Sequence, residues 1–295
     1  MDAGTVAFIG GGNMAGALIG GLLGRGARRA VPLGRAPSAA GGPPASIVVV
    51  EPDAERRAAY GRDGSVTALA EADPSLARAA VVVWAVKPQV FGDAALSVAR
   101  HVGRALQVSV MAGIPSAAIA EATGSARVVR AMPNTPALIG EGISGVYATS
   151  AVGPADRAIA DRLLAPAGER VWFDDESSLD AVTALSGSGP AYVFLLLEAM
   201  TDAGRAVGLA EDASRRLALQ TLAGAARLAL ESDLSAEALR RQVTSPGGTT
   251  EAALRVLEAR GVREAVADAV RAARDRAREL GAPPPASTDQ ETQSR

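Results

Sequence analysis

Three consecutive glycines, Gly10-Gly11-Gly12, stand between a short apolar, β-branched run, Thr5 to Ile9, and a stretch of helical composition, Met14 to Leu23, that Gly24 and Gly26 close. Strand, tight turn and helix in that order make a βα unit. Together with Asn13, Met14 and Ala15 the turn reads G-x-G-x-x-A in the context that pattern requires. The first glycine then permits the sharp turn, the second lets the backbone approach a pyrophosphate, and the small third residue lets the helix lie close to the strand. The helix start offers unpaired N–H groups and a partial positive charge to that anion. A purely structural glycine turn is the alternative reading. A membrane helix is another, because Ala3 to Gly24 carries no charge and Gly12, Gly16, Gly20 and Gly24 repeat at GxxxG spacing. Asp2 where a signal peptide would be basic, the glycine content and the break at Gly10–Asn13 weigh against it.

At 295 residues the chain exceeds the usual size of a single core, so two domains are expected. Ile47 to Val50, Ala80 to Val86, Leu106 to Val110, Val128 to Ala131, Val146 to Ala148 and Val171 to Phe173 read as further strands. Helical stretches alternate with them at Ala54 to Tyr60, Phe91 to Val102, Pro115 to Ala122 and Pro154 to Leu164. That alternation predicts an α/β, Rossmann-like doubly wound parallel sheet over residues 1–174. Beyond Asp174 the chain reads as all-helical, with helices at Pro190 to Val207, Asp212 to Glu231, Ala236 to Val243, Thr250 to Arg260 and Val262 to Leu280. The first of these holds Val193, Phe194, Leu195, Leu196 and Leu197, apolar around most of its circumference, which calls for burial on several sides and hence for a second copy of the chain. Residues 175–281 are therefore expected to be a dimerisation domain, to which the Ser245–Thr250 loop adds substrate binding, and 282–295, with three consecutive prolines, a disordered tail. The Pro- and Gly-rich segment from Arg28 to Ser46 reads as an inserted surface loop.

The inventory of reactive side chains is short. There is no cysteine, His101 is the only histidine and Lys87 the only lysine. Disulfides, thiolate metal sites and a cysteine nucleophile are excluded, no metal site is expected, and His101 is read as a surface residue. A net charge of −2 without a long basic run excludes a nucleic-acid binder. Ser186 and Ser188 lie in a Ser-Gly-Ser-Gly-Pro stretch with no histidine or lysine in their domain to activate them, so a hydrolase reading fails. That stretch reads as a pivot between the domains.

Glu51, at the end of the second strand, is placed to accept from both ribose hydroxyls and to repel a 2′-phosphate, which favours NADH. Arg56 and Arg57 blur that preference, since either could reach a 2′-phosphate or lie on a solvated helix face. Lys87-Pro88 follows a central strand, where ligands enter a doubly wound sheet; a solvent-facing lysine is the alternative. The Ser245–Thr250 loop leaves backbone N–H groups exposed before a helix and could hold a carboxylate without arginine. An ordinary capped helix start with Glu251 nearby is the competing reading.

Five stretches carry a family resemblance: Ile9-Gly10-Gly11-Gly12-Asn13-Met14, Ala85-Val86-Lys87-Pro88, Arg130-Ala131-Met132-Pro133-Asn134-Thr135-Pro136, Leu185 to Tyr192, and Val243-Thr244-Ser245-Pro246-Gly247-Gly248-Thr249-Thr250. In this order, and across nearly the whole chain, they resemble pyrroline-5-carboxylate reductase. The resemblance implies NADP or NAD as cofactor, 1-pyrroline-5-carboxylate as substrate and L-proline as product. It also implies a cytoplasmic, non-membrane homodimer, often assembled into pentamers of dimers. Carried over to this chain, it implies that Ala85 to Pro88 lie along the cofactor and that Met132, Pro133 and Asn134 come near the nicotinamide. Ser245, Gly247, Gly248, Thr249 and Thr250 would hold the substrate, with the Thr250 hydroxyl at the ring nitrogen. Asp233 to Ala236, Arg241 and Ala72 depart from residues common in that family. Another two-domain imine or ketone reductase, or an NAD(P)-binding regulator without activity, remains as an alternative.

Overall fold

The computed structural model describes residues 4–24, 44, 46–61 and 64–281. The expected insertion at 28–46, apart from 44 and 46, and the expected tail at 282–295 lie outside the described residues.

Eight strands form one sheet: β1 Thr5–Ile9, β2 Ser46–Val50, β3 Val66–Leu69, β4 Ala79–Trp84, β5 Leu106–Ser109, β6 Val128–Met132, β7 Gly142–Ala148 and β8 Gly168–Phe173. Their order is β3-β2-β1-β4-β5-β6-β7-β8. The first six pair in parallel, with helices α1 Asn13–Leu22, α2 Ala54–Tyr60, α3 Phe91–Val102 and α4 Ser116–Thr123 among the crossovers. Both faces of this part are buried. Val6 and Phe8 of β1 pack into one apolar layer and Ala7 and Ile9 into the other, as covered parallel strands require. The order reverses at β1, which lies between β2 and β4, so a crevice opens beyond the carboxyl ends of β1 and β4.

The sheet is not wholly parallel. β7 runs antiparallel to β6, and β8 pairs with β7 in parallel, with α5 Pro154–Leu164 between them. The link from Met132 to Gly142 is shorter than the crossover of about a dozen residues that a parallel neighbour needs. Edge strand β3 had no counterpart in the sequence reading, and β4 ends at Trp84 rather than Val86.

The helical part comprises α6 Ser178–Val182, α7 Gly189–Ala206, α8 Glu211–Leu230, α9 Ala236–Gln242, α10 Thr249–Ala259 and α11 Val262–Gly281. The stretch Ser186–Pro190, expected as a pivot, joins helix to helix: α6 runs into a π turn, Thr183–Gly187, and after a bend at Ser188 the chain enters α7. The Ser188 N–H reaches five residues back to the Thr183 carbonyl at 2.8 Å. Pro190 falls in the first turn of α7, where its missing N–H costs nothing. In the isolated chain α7 buries no residue, and Phe194 and Leu195 are 58% and 66% exposed. By length and composition alone the helical stretch Ser178–Ala206 could also cross a membrane.

Candidate cofactor and substrate site

The glycine turn is built by close approach. Gly10 has φ 95°, its N–H donates to the Val50 carbonyl at 2.9 Å, and a Cβ there would lie 2.8 Å from the Ala85 carbonyl oxygen. Only glycine combines that backbone angle with that proximity. Gly12 is the N-cap of α1, and a Cβ on it would meet nothing within 4 Å. No side chain caps α1 and no acid stands in its first turn. Ala15, the small third residue of the pattern, is fully buried. Beside the turn lies a cleft of about 430 Å³ whose lining includes Gly11, Gly12, Asn13, Gly16, Arg56 and Tyr60. An open glycine, an uncapped helix start and this cleft fit a dinucleotide diphosphate. Ile9 takes a different part: its side chain is buried in the core and its carbonyl accepts the Ala85 N–H at 2.8 Å, so it shapes the turn from behind.

Glu51 is buried, and both its oxygens already have partners. Oε2 accepts the Gly11 N–H at 2.8 Å and Oε1 accepts the Asp53 N–H at 2.9 Å. A carboxylate has lone pairs left for a ribose hydroxyl, but here it also fastens the turn. The two arginines separate. The Arg57 guanidinium donates to the Glu51 and Pro52 carbonyls at 2.9 and 2.8 Å, whereas Arg56 is exposed and lines the cleft. Tyr60, which the sequence reading passed over, donates its hydroxyl to the Gly11 carbonyl at 2.9 Å. Burial pushes its phenol pKa up, the Glu51 carboxylate adds to this and Arg56 opposes it.

Because β1 to β6 are parallel, Gly10, Ala85 and Pro133 all lie at the carboxyl-terminal end of the sheet, just past β1, β4 and β6. Ala85 and Val86 are half-buried, one packing on each apolar layer, and Lys87 is exposed as the N-cap of a 3-10 turn at Pro88–Val90. Met132 approaches the π turn so closely that a Cβ on Gly187 would lie 2.9 Å from its Cε. Pro133 is buried, and the Asn134 Oδ1 accepts the Ile143 N–H at 2.9 Å, which pins the start of β7. His101 lies in the last turn of α3, half-buried, with its Nε2 3.1 Å from Arg100 Nε.

At the second candidate anion site, Gly248 caps α10 in extended geometry with no side-chain cap, and Thr249 and Thr250 begin the helix. Two N–H groups of this loop are not open, contrary to the sequence reading. Gly247 N–H donates to Glu251 Oε2 at 2.8 Å and Gly248 N–H to the Ser245 carbonyl at 3.0 Å. Gly247 holds φ 72°, which lets the turn close on itself. Thr250 is half-buried and Ser245 exposed. Within the chain α10 packs on α11.

One further polar cluster joins the two parts of the molecule. Glu176 accepts from the Ser116 N–H at 2.6 Å, the Ser116 hydroxyl at 2.5 Å and Arg130 at 2.7 Å. Burial raises the Glu176 carboxyl pKa, but the hydrogen bonds from the Ser116 hydroxyl, Arg130 and the Ser116 N–H outweigh it and hold the carboxyl below its ordinary value. Among the described residues no cluster of acidic or histidine side chains is placed to hold a metal.

Residues 176–280 match the family described as pyrroline-5-carboxylate reductase dimerisation, and residues 5–113 match NADP oxidoreductase, coenzyme F420-dependent. The pyrroline-5-carboxylate reductase of Pseudomonas aeruginosa is 44% identical over 282 residues, 95% of this chain and 98% of that protein. The enzyme of the same name from Pisum sativum is 39% identical over 95% of this chain and 97% of its own length. Among solved structures, a pyrroline-5-carboxylate reductase from Coxiella burnetii superposes with a TM-score of 0.83 at 34% identity, covering 96% of this chain and all of that one. The Plasmodium falciparum pyrroline carboxylate reductase with NADP bound gives 0.77 at 27% identity, over 96% of this chain and 100% of its own.

Proposed function

Since the chain belongs to the pyrroline-5-carboxylate reductase family, we infer that it reduces 1-pyrroline-5-carboxylate to L-proline, the last step of proline biosynthesis. It is an NAD(P)H-dependent oxidoreductase acting on a C=N bond. The observation that carries this reading is that the same relatives match about 95% of the chain, and so both of its halves, over nearly their own full length.

Residues 1–174 are assigned to the cofactor and 175–281 to dimerisation and the substrate. Ile9 to Met14, Glu51, Ala85 to Pro88 and Met132 to Asn134 form the cofactor site in this assignment, with Ile9 acting through the shape of the turn. Bound NAD(P)H supplies a hydride for the imine carbon. The chain's own residues bind and orient the substrate. Ser245 and Gly247 to Thr250 form its cradle, where the start of α10 faces the ring carboxylate. Both Gly247 and Gly248 have N–H partners inside the loop, so the carboxylate grip falls on the helix start that follows. A cyclic imine takes its proton from water, and the resulting N–H donates to the Thr250 hydroxyl oxygen. No histidine or lysine stands in the second domain, and none is needed as a general acid.

The chain works as a homo-oligomer. We take the unit to be a homodimer that covers the exposed face of α7 and closes the site, with a decamer as further assembly. The same covering is the reading we adopt for the apolar helix Ser178–Ala206, in a cytoplasmic enzyme that engages neither membrane nor nucleic acid. Oxidation of NADH or NADPH on addition of 1-pyrroline-5-carboxylate, together with proline-dependent reduction of NAD(P) at alkaline pH, tests the assignment. A folded sample that binds cofactor yet turns over neither substrate would overturn it.

A further inference from the structure

Gly11 and Gly12 are adjacent residues without side chains, and such a pair has little means of holding its own peptide planes in one orientation. The surrounding structure holds them from outside. The Gly11 N–H is tied to Glu51 Oε2 at 2.8 Å, and the Gly11 carbonyl accepts the Tyr60 hydroxyl at 2.9 Å. Both anchors come from one β2–α2 unit, Glu51 just after the strand and Tyr60 at the end of the helix. The fit is tight, since a Cβ on Gly11 would lie 2.8 Å from the Tyr60 ring and 3.2 Å from the Glu51 side chain.

A trans peptide points its carbonyl and its N–H in opposite directions. With the Gly11 carbonyl turned to Tyr60, the Gly12 N–H must face the opposite way. A flipped peptide would instead present a carbonyl oxygen to any anion at α1. We propose that Tyr60 is a positioning residue for the cofactor diphosphate: its hydroxyl holds the Gly11–Gly12 peptide with the N–H, not the carbonyl, available to the anion. This rests on the glycine turn being the diphosphate site. The raised pKa of the phenol keeps it a donor into alkaline solution.

The test is calorimetric titration of the full-length protein with ADP and with NADH, using Tyr60→Phe and Gly12→Val. Phenylalanine keeps the ring and removes only the donor, and valine puts methyl groups into the open space over Gly12 at a backbone angle, φ −73°, that any residue adopts. Tyr60→Phe is expected to weaken ADP and NADH by the same factor, about five-fold for one lost hydrogen bond, with kcat at saturating cofactor and the KM for the imine unchanged. Gly12→Val is expected to lose ADP binding. If Tyr60→Phe binds ADP as tightly as the unaltered protein while Gly12→Val does not bind it, the role of Tyr60 is overturned and the glycine turn stands. If both variants bind ADP normally, the turn is not the diphosphate site and both readings fail.

Discussion

Glu51 is fastened to Gly11 across 40 residues of sequence: its Oε2 accepts the Gly11 N–H at 2.8 Å inside the protein. The acid at the end of β2 thus shapes the turn that is to hold the diphosphate, as well as standing where a ribose would lie. Replacing Glu51 by serine should act twice. Loss of the negative charge shifts the NADH/NADPH preference toward NADPH, while loss of the anchor raises the KM for both cofactors. Steady-state kinetics with each cofactor separates the effects. An unchanged ratio would remove the ribose role, and a shifted ratio with an unchanged KM for NADH, which gains nothing from removal of the charge, would remove the anchoring role.

Thr250→Ala is expected to lower kcat by roughly ten- to a hundred-fold, the effect of losing a hydrogen bond to a charged group worth about 1.5–3 kcal/mol. NADH affinity, measured by fluorescence titration, should stay within about two-fold, because the Thr250 hydroxyl is assigned to the substrate's ring nitrogen and to no atom of the cofactor. Thr250→Ser should restore most of the turnover. Kinetics unaltered in the alanine variant would refute the role given to this hydroxyl.

Glu176 joins α4 and β6 to the start of the helical part through Ser116 and Arg130. Its carboxyl pKa in the folded protein lies below the unfolded value. The unfolded chain therefore binds the proton more readily. The resulting stabilisation is fully present above the unfolded pKa and is lost as pH falls through the folded pKa. Glu176→Gln should destabilise by about 2 kcal/mol at neutral pH, since Arg130 is left buried without its counter-ion. The difference from the unaltered protein should shrink in acid. Denaturant unfolding at neutral pH and on the acid side of the carboxylate range checks this, and a pH-independent difference would contradict it.

Phe194 and Leu195 stand on the exposed face of α7, where neither is buried within the chain. Changing both to glutamate leaves the monomer core intact and places two charges in the proposed dimer interface. Sedimentation should show a smaller species with loss of imine reduction, while circular dichroism retains the helical signal. A variant that keeps its oligomeric state would move the interface elsewhere.

Local structure was legible from consecutive residues. The expected bounds of Ala54–Tyr60, Phe91–Val102 and Pro154–Leu164 coincide with α2, α3 and α5, and Thr5–Ile9 with β1, because apolar periodicity and glycine or proline punctuation act over a few neighbours. The glycine turn and the Ser245–Thr250 loop could be found in the same way, since a helix start and its preceding loop are contiguous in the chain.

What tertiary structure alone decided are the pairings between distant segments. The antiparallel direction of β7, the edge position of β3 and the π turn that carries α6 into α7 depend on which elements meet in space. So do the grip of Tyr60 on Gly11 across 49 residues and that of Glu176 on Arg130 across 46. A polar side chain shows in the sequence only that it needs a partner. Which partner it finds is settled when the sheet places strand ends side by side, and burial then makes that hydrogen bond costly to lose.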